Sequence, residues 1–164
     1  MESKGLYLSN ASAVSRFIIK NYGPMSHLKV QKLLFYVQSY HLAYFKTPLF
    51  QEEFEAWLHG PVCRNVYDEF KTSSRLYADL SFEDIPQGED PSTLKDNLSS
   101  DQFTLLTDVL NNLSSWTSFE LETATHNEEP WIKARIGYAP ADRCDAIISK
   151  KSMLEYYSKE INDI

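Results

Sequence analysis

Apolar residues recur at helical spacing close to the beginning of the chain. Between residues 10 and 22 they fall at positions 13, 14, 17, 18 and 22, a period that predicts an amphipathic helix. Ser9 or Asn10 can cap its start, because a short polar side chain there accepts a bond from a free backbone N–H group. Gly23-Pro24 predicts where this helix ends.

A second and longer pattern predicts a helix from about residue 26 to residue 44. Its apolar positions form two adjoining stripes, one of which runs as far as His41 and Tyr44. A helix that is apolar over most of its circumference is usually central to its domain. We expect His41 to be a core histidine with a hydrogen-bond partner. The narrow face that we expect to be solvated consists of Lys32, Ser39 and Lys46.

The rest of the chain indicates a mainly α fold. Residues 49–59 predict a short extended segment, and Pro61 suits the first position of a helix that continues to Phe70. From 72 to 100 the chain is polar and broken by prolines, which predicts an irregular connecting region with at most a short strand near 80–85. We therefore predict about seven helices around a long central one, and one short β-hairpin. The later helices are expected at about 100–113, 117–123, 130–136 and from 149 onward.

Length and charge narrow the class of protein. The chain has 164 residues and a formal net charge of −7, so we expect one domain spanning residues 1–164. An acidic protein lacks the field that attracts DNA or anionic membranes. We expect no direct DNA binding and no membrane partner, and a basic partner suits the charge better, although solubility alone also accounts for it.

The two cysteines and the lengths of the apolar segments indicate in which cellular compartment the protein is expected. Cys63 and Cys144 are far apart and form no CxxC pair, as is typical of intracellular thiols. No apolar run is long enough for a membrane span, and none follows the first residues as in a secretory signal. We therefore expect a cytoplasmic protein that needs no cofactor.

One motif concentrates chemically active side chains within eight residues, Glu55-Ala56-Trp57-Leu58-His59-Gly60-Pro61-Val62. A second histidine, His126, also precedes a proline and has Glu128 nearby. Glu55, His59, His126 and Glu128 could bind a metal or perform acid–base work. Their spacing matches no established metal motif. The interpretation that we favour is a buried polar cluster that stabilises the fold, in which each acid orients the nearby histidine. We expect the two tryptophans of these segments, with Glu55 and His59, to be largely buried.

Several blocks in a fixed order resemble the Panacea domain, also called the SocA-like or GepA-like phage-associated family. The first block, residues 30–38, reads VQKLLFYVQ and is similar to LQKLLYYAQ. The eight-residue motif is similar to EAWxHGPV, and residues 66–70 follow VYxxF. The later blocks, similar to SxxEL, TH, PW and AR, fall at Ser118-Phe119-Glu120-Leu121, Thr125-His126, Pro130-Trp131 and Ala134-Arg135.

The resemblance implies an antitoxin that neutralises a co-encoded bacterial or prophage toxin by direct binding, and not an enzyme. Some relatives carry a DNA-binding region before this domain, for which we expect no room in about nine residues. The resemblance implies no catalytic, cofactor or metal residues, and leaves oligomeric state and toxin open. A metal-binding protein or enzyme, or a prophage regulator of a host protein, is the alternative. A contact surface for the toxin is expected at 72–100.

The family motif implies that the following residues define the fold: Gln31, Lys32, Tyr36, Gln38, Glu55, Trp57, His59, Gly60, Pro61, Val62, Tyr67, Glu120, His126, Glu128, Pro130, Trp131 and Arg135.

Overall fold

A long helix, α2 (His27–Phe45), runs through the middle of the protein. In the computed structural model, which describes residues 5–162, this helix packs against five other helices and against both small sheets. Ser26 caps its start, with Oγ accepting a bond from the backbone N–H of Lys29 at 3.2 Å, and Lys46 caps its end. Fifteen of its residues are buried, which confirms that it is central.

The surrounding helices make the fold mainly α, as predicted. Asn10 caps the first of them, accepting a bond from the backbone N–H of Ala13 at 2.8 Å. Capping boxes begin two others, at Ser99 and at Thr117. The described residues contain eight helices; the one not predicted is the four-residue α4. Besides α2 they are α1 (Ala11–Tyr22), α3 (Arg64–Phe70), α4 (Leu94–Asn97), α5 (Ser100–Leu113), α6 (Ser118–His126), α7 (Glu129–Ala134) and α8 (Lys150–Asn162).

Two small antiparallel sheets complete the fold. In the larger one the central strand β2 (Phe54–Trp57) pairs with β3 (Gly60–Val62) and with β5 (Ile147–Ile148). A short hairpin was predicted without a location, and an extended segment was predicted at 49–59, where β2 lies. Pro61, however, lies in β3 and does not open α3, which begins three residues later. The smaller sheet joins β1 (Met25–Ser26) to β4 (Asp79–Leu80).

The face of α2 predicted to be solvated is mostly buried. Lys32 and Ser39 are both 0% exposed, and of the three residues of that face Lys46 alone is exposed. The hairpin β2–β3 and helix α6 pack over α2 and cover Lys32. Tyr44, which was placed on an apolar stripe, is 55% exposed. Helical periodicity alone does not reveal how many neighbours surround a helix.

The irregular region at 72–100 follows the surface of α1 and is held there by a buried charge. Arg16 is 3% exposed; its Nη1 donates to the carbonyl oxygen of Pro86 at 2.7 Å, and its guanidinium pairs with Glu69. Leu80 and Leu94 contribute buried side chains to the core. The region is irregular in path but packed, and therefore less free to change shape than its composition suggested.

Candidate functional site

The family motif forms the hairpin β2–β3, and Gly60 sets its geometry. Gly60 has φ of +106°, a backbone conformation that other residues avoid. A Cβ atom at this position would lie 2.5 Å from Cε of Lys32 and 3.0 Å from Oγ1 of Thr125. Glycine therefore allows both the turn and the close approach of the hairpin to α2 and α6.

Lys32 lies beneath this turn as a completely buried amine. Its Nζ donates to the carbonyl oxygen of Pro61 at 2.9 Å. Burial lowers the pKa of Lys32 to about 7, and the carboxylate of Glu122 opposes this change only in part. The lysine thus joins α2 to β3 through its amine and not through an exposed charge.

Neither predicted pair of an acid with a histidine forms: Glu55 does not contact His59, and Glu128 does not bond to His126. Glu55 accepts bonds from Nε1 of Trp57 at 2.8 Å and from the guanidinium of Arg64 at 2.9 Å. His59 instead places Nδ1 3.3 Å from Oε1 of Glu122, and its side chain is 40% exposed. His59 lies in the turn after β2 and not on the strand that carries Glu55, so proximity along the chain gave the wrong partner for His59.

His126 is a stacked ring and not a partner of an adjacent acid. It lies parallel to the indole of Trp131, with ring centroids 4.0 Å apart. Nε1 of Trp131 donates to the carbonyl oxygen of Trp57 at 2.8 Å, so this stack joins α7 to the hairpin. Nε2 of His126 is buried without a hydrogen-bond partner in residues 5–162. Burial is the main cause that lowers the pKa of this imidazole.

Glu128 belongs to a different junction. Its Oε1 accepts bonds from the hydroxyls of Tyr36 at 2.6 Å and Tyr157 at 2.7 Å, which joins α2, α7 and α8. Burial raises the pKa of Glu128, while both tyrosine bonds favour its charged form. Glu55, His59, His126 and Glu128 therefore have separate partners. Within the described part of the chain, no group of three or more His, Cys, Asp or Glu side chains is arranged to hold a metal ion.

Two buried glutamines of the motif satisfy backbone groups that the hairpin and its preceding loop leave free. Gln31 accepts a bond from the N–H of Cys63 at 2.8 Å. Gln38 accepts from the N–H of Leu49 at 2.8 Å and donates to the carbonyl oxygen of Phe50 at 2.6 Å. An amide side chain offers both a donor and an acceptor, which suits it to a loop with both kinds of free group.

Arg135 has the corresponding role at the other side of the hairpin. It is 5% exposed and donates from Nη1 to the carbonyl oxygen of Ala56 at 2.7 Å and from Nη2 to that of Asp142 at 2.6 Å. Its guanidinium carbon also lies 5.0 Å from the ring centre of Trp131. This buried guanidinium therefore bonds to backbone carbonyl groups and packs against the ring of Trp131.

Nine of the seventeen motif residues are buried, and the expectation that Glu55, Trp57, His59 and Trp131 would be largely buried was wrong, because all four are of intermediate exposure. The buried ones are Gln31, Lys32, Tyr36, Gln38, Gly60, Pro61, Val62, Pro130 and Arg135. Those of intermediate exposure are Glu55, Trp57, His59, Tyr67, His126, Glu128 and Trp131, and Glu120 is exposed at the capping box of α6.

The other two histidines, His27 and His41, have similar environments, of which the sequence predicted only that of His41. Nδ1 of His27 lies 2.7 Å from the carbonyl oxygen of Ser74, and its Nε2 lies 3.0 Å from the amide nitrogen of Gln31. His41 repeats this arrangement with a backbone carbonyl and with Gln102, which confirms its predicted role as a bonded core histidine. These partners fit the neutral ring with its hydrogen on Nδ1, and burial lowers the pKa of both. The i, i+4 spacing of His27 and Gln31 is a signal that could have revealed the first pair.

An open cleft of about 660 Å³ borders the motif hairpin. Trp57 and His59 face it together with Tyr67, Arg64 and Arg143. The guanidinium carbon of Arg64 lies 5.1 Å from the ring centre of Trp57, and Glu55 neutralises that charge. Among the described residues that line the cleft, no hydrogen bond joins the thiol of Cys144 to a histidine or a carboxylate.

Residues 30–132 match the sequence profile of the family described as "Antitoxin SocA-like, Panacea domain". This match covers more than half of the chain, including most of α2, the hairpin and the segment of His126 and Trp131. The chain belongs to the SocA-like Panacea family. No curated protein and no solved structure gave a significant match.

Membership of the Panacea family gives this chain an antitoxin-like function. It also favours a toxin as partner and a role other than catalysis. Over residues 5–162, no helix combines the length and the apolar character needed to cross a bilayer.

Proposed function

We propose that this protein is the antitoxin of a bacterial or prophage toxin–antitoxin pair and that it neutralises a co-encoded protein toxin by binding it. The observation that carries the proposal is the family match over residues 30–132. The acidic charge of −7 adds support, because it suits a basic partner. We take residues 1–164 as one antitoxin domain that acts in the cytoplasm and without a cofactor.

We propose further that the motif residues maintain the fold and do not contact the toxin. Gln31, Gln38 and Arg135 use their hydrogen-bonding groups on backbone atoms of their own chain. Lys32 and Glu128 are likewise engaged, with Pro61 and with two tyrosines. Side chains committed in this way are not available to a partner, so the toxin is recognised by exposed residues elsewhere.

Neutralisation is then steric: the antitoxin covers the functional surface of the toxin. A stable complex of this kind buries about 1,200–2,000 Å² or more in total. Its binding energy is concentrated in a few aromatic or arginine anchors surrounded by a polar rim. Exposed aromatic side chains are present to serve as such anchors, among them Tyr44, Tyr77 and Phe119.

Co-expression with the neighbouring gene tests this proposal. The gene is induced alone and together with the tagged chain, growth is recorded, and the tagged chain is then purified. We expect growth arrest by the gene alone, rescue by the chain, and co-purification of the two proteins. Rescue without a physical complex would remove the sequestration mechanism and favour an enzymatic or regulatory route.

A further inference from the structure

A groove of about 710 Å³ lies between the last turns of α2 and one face of α5, away from the motif hairpin. The exposed Tyr44 stands on the α2 side, with Tyr40 and Phe45 beside it. The lining residues from α5 recur three or four positions apart, so they form one continuous face. They are Asp101, Thr104, Leu105, Asp108, Val109, Asn112 and Leu113.

The shape of the groove suits a helix. From Asp101 to Leu113 the face extends over twelve residue steps, which correspond to about 18 Å along α5. Three turns of a second helix have nearly the same length. Leu105, Val109 and Leu113 give the groove an apolar floor, and an apolar groove between helices is a common seat for the apolar face of an amphipathic helix.

The charge of the groove indicates which helix. Its two ionisable rim groups from α5 are Asp101 and Asp108, and no lysine or arginine is among its lining residues. Both aspartates are exposed, and neither has an ion-pair partner within residues 5–162. They are seven residues apart, or about 10 Å along the helix axis. Two cations separated by two helical turns match that spacing.

The hydroxyl group of Tyr40, on the α2 side, is also in an acidic environment. Burial first, and then Glu128 and Glu160, raise the pKa of Tyr40 to about 12. An acidic field around partly buried aromatic rings favours a lysine or arginine side chain, which can contact both the ring and the carboxylates. The groove therefore combines an apolar floor with a negative rim along its length.

We propose that the groove between α2 and α5 binds a basic amphipathic helix of the toxin, with its apolar face on Leu105 and Val109 and its cations beside Asp101 and Asp108. This inference rests on the proposed function, because it names the surface through which the toxin is held. A second copy of the chain fits poorly, since it would bring another protein of net charge −7 against an acidic rim.

The test uses two ligands and four antitoxin proteins. One ligand is the product of the neighbouring gene, and the other is a synthetic peptide of about 18 residues with leucine on one helical face and lysine on the other. A peptide of the same composition in scrambled order is the peptide control. The groove variant is Asp101→Lys with Asp108→Lys. The matched control, Glu83→Lys with Asp145→Lys, makes the same change in net charge on other surfaces, Asp145 being at the motif cleft.

We expect the groove variant to bind both ligands at least about tenfold more weakly than wild type. The matched control should stay within about twofold of wild type, and the scrambled peptide should bind about tenfold more weakly than the ordered one. Amide chemical shifts should change along α5 and the end of α2 when the ordered peptide is added. Asp101→Asn with Asp108→Asn, which disturbs folding less, should show an intermediate loss.

The outcomes separate this inference from the proposed function. If the toxin binds wild type and the groove variant equally, or if the control variant alone loses binding, the groove is the wrong surface while the antitoxin function stands. If the ordered peptide binds no better than the scrambled one, or shifts amides elsewhere, the inference fails as well. If the neighbouring product does not bind but the ordered peptide still occupies the groove, the proposed function fails and the groove remains a site for basic helices.

Discussion

Replacing Lys32 with methionine should flatten the dependence of stability on pH just above neutrality. Methionine fills a similar volume but cannot carry a proton. The pKa of Lys32 is lowered from 10.5 to about 7 by burial. Between these two values the unfolded chain binds a proton that the folded chain does not, so the free energy of unfolding rises with pH.

The expected size follows from the two pKa values. Each unit of pH between them contributes at most about 1.4 kcal/mol, and less near the folded value, where Lys32 is itself half protonated. From pH 7 to pH 8.5 wild type should therefore gain about 1.5 kcal/mol relative to Lys32→Met. Cys63, whose pKa burial raises to about 11, is present in both proteins, so its contribution cancels in the difference.

Chemical denaturation at several pH values between 7 and 8.5 measures this difference. Lys133→Met is the matched control, since Lys133 is exposed and forms no ion pair in the described residues, and its slope should parallel that of wild type. Equal slopes for wild type and Lys32→Met would show that the amine keeps an ordinary proton affinity. The description of Lys32 as a desolvated amine that links α2 to β3 by a hydrogen bond would then be wrong.

Three further substitutions or conditions test other parts of the fold. Tyr157→Phe removes one donor from the buried carboxylate of Glu128 and should lower the free energy of unfolding by about 1–3 kcal/mol in urea denaturation; an unchanged midpoint would contradict the tyrosine junction. Gly60→Ala should cost about 1–3 kcal/mol for its positive φ and more for the contact with Lys32. Gly137→Ala, with φ of +96° and nothing within 4 Å of a new Cβ, supplies the strain without the contact; equal losses would argue against that contact. Because burial lowers the pKa of both glutamine-bonded histidines, the unfolded chain binds more protons below about pH 6.5 and stability should fall from there toward pH 5; thermal midpoints that stay constant over that range would refute this.

Local patterns predicted most helices correctly. The spacing of apolar residues and the polar caps identified α1 and α2 to within one or two residues of their ends, because both signals arise within a single helix. The Thr117 capping box was also confirmed, although α6 continues to His126, three residues beyond the predicted end. Signals of this kind need no knowledge of the rest of the fold.

Features that depend on distant parts of the chain were predicted less well. Lys32 was expected in solvent, but a hairpin from residues 54–62 and a helix that begins at Ser118 pack above it. Pro61 was expected to open a helix, whereas its pairing with Ala56 places it in a strand. In both cases the deciding contact is made by residues outside the local pattern.

The motif was recognised from its sequence, but its internal partners were not. Glu55 was grouped with His59, and the structure pairs it with Arg64 and Trp57 instead. Trp57 is only partly buried at the edge of a cleft, so Trp57→Ala should cost less than the 3–5 kcal/mol or so that a ring in the core would imply. That the motif residues act only through the fold stays a prediction.

Titration of the toxin's activity with purified antitoxin tests the central claim most directly. The neighbouring gene product is assayed at a fixed concentration well above the dissociation constant, and the antitoxin is added in steps. Sequestration predicts that activity falls linearly and is abolished at a fixed molar ratio, with one complex of matching composition on size-exclusion chromatography. Loss of activity at small substoichiometric amounts of antitoxin, or undiminished activity at a large excess, would contradict neutralisation by direct binding.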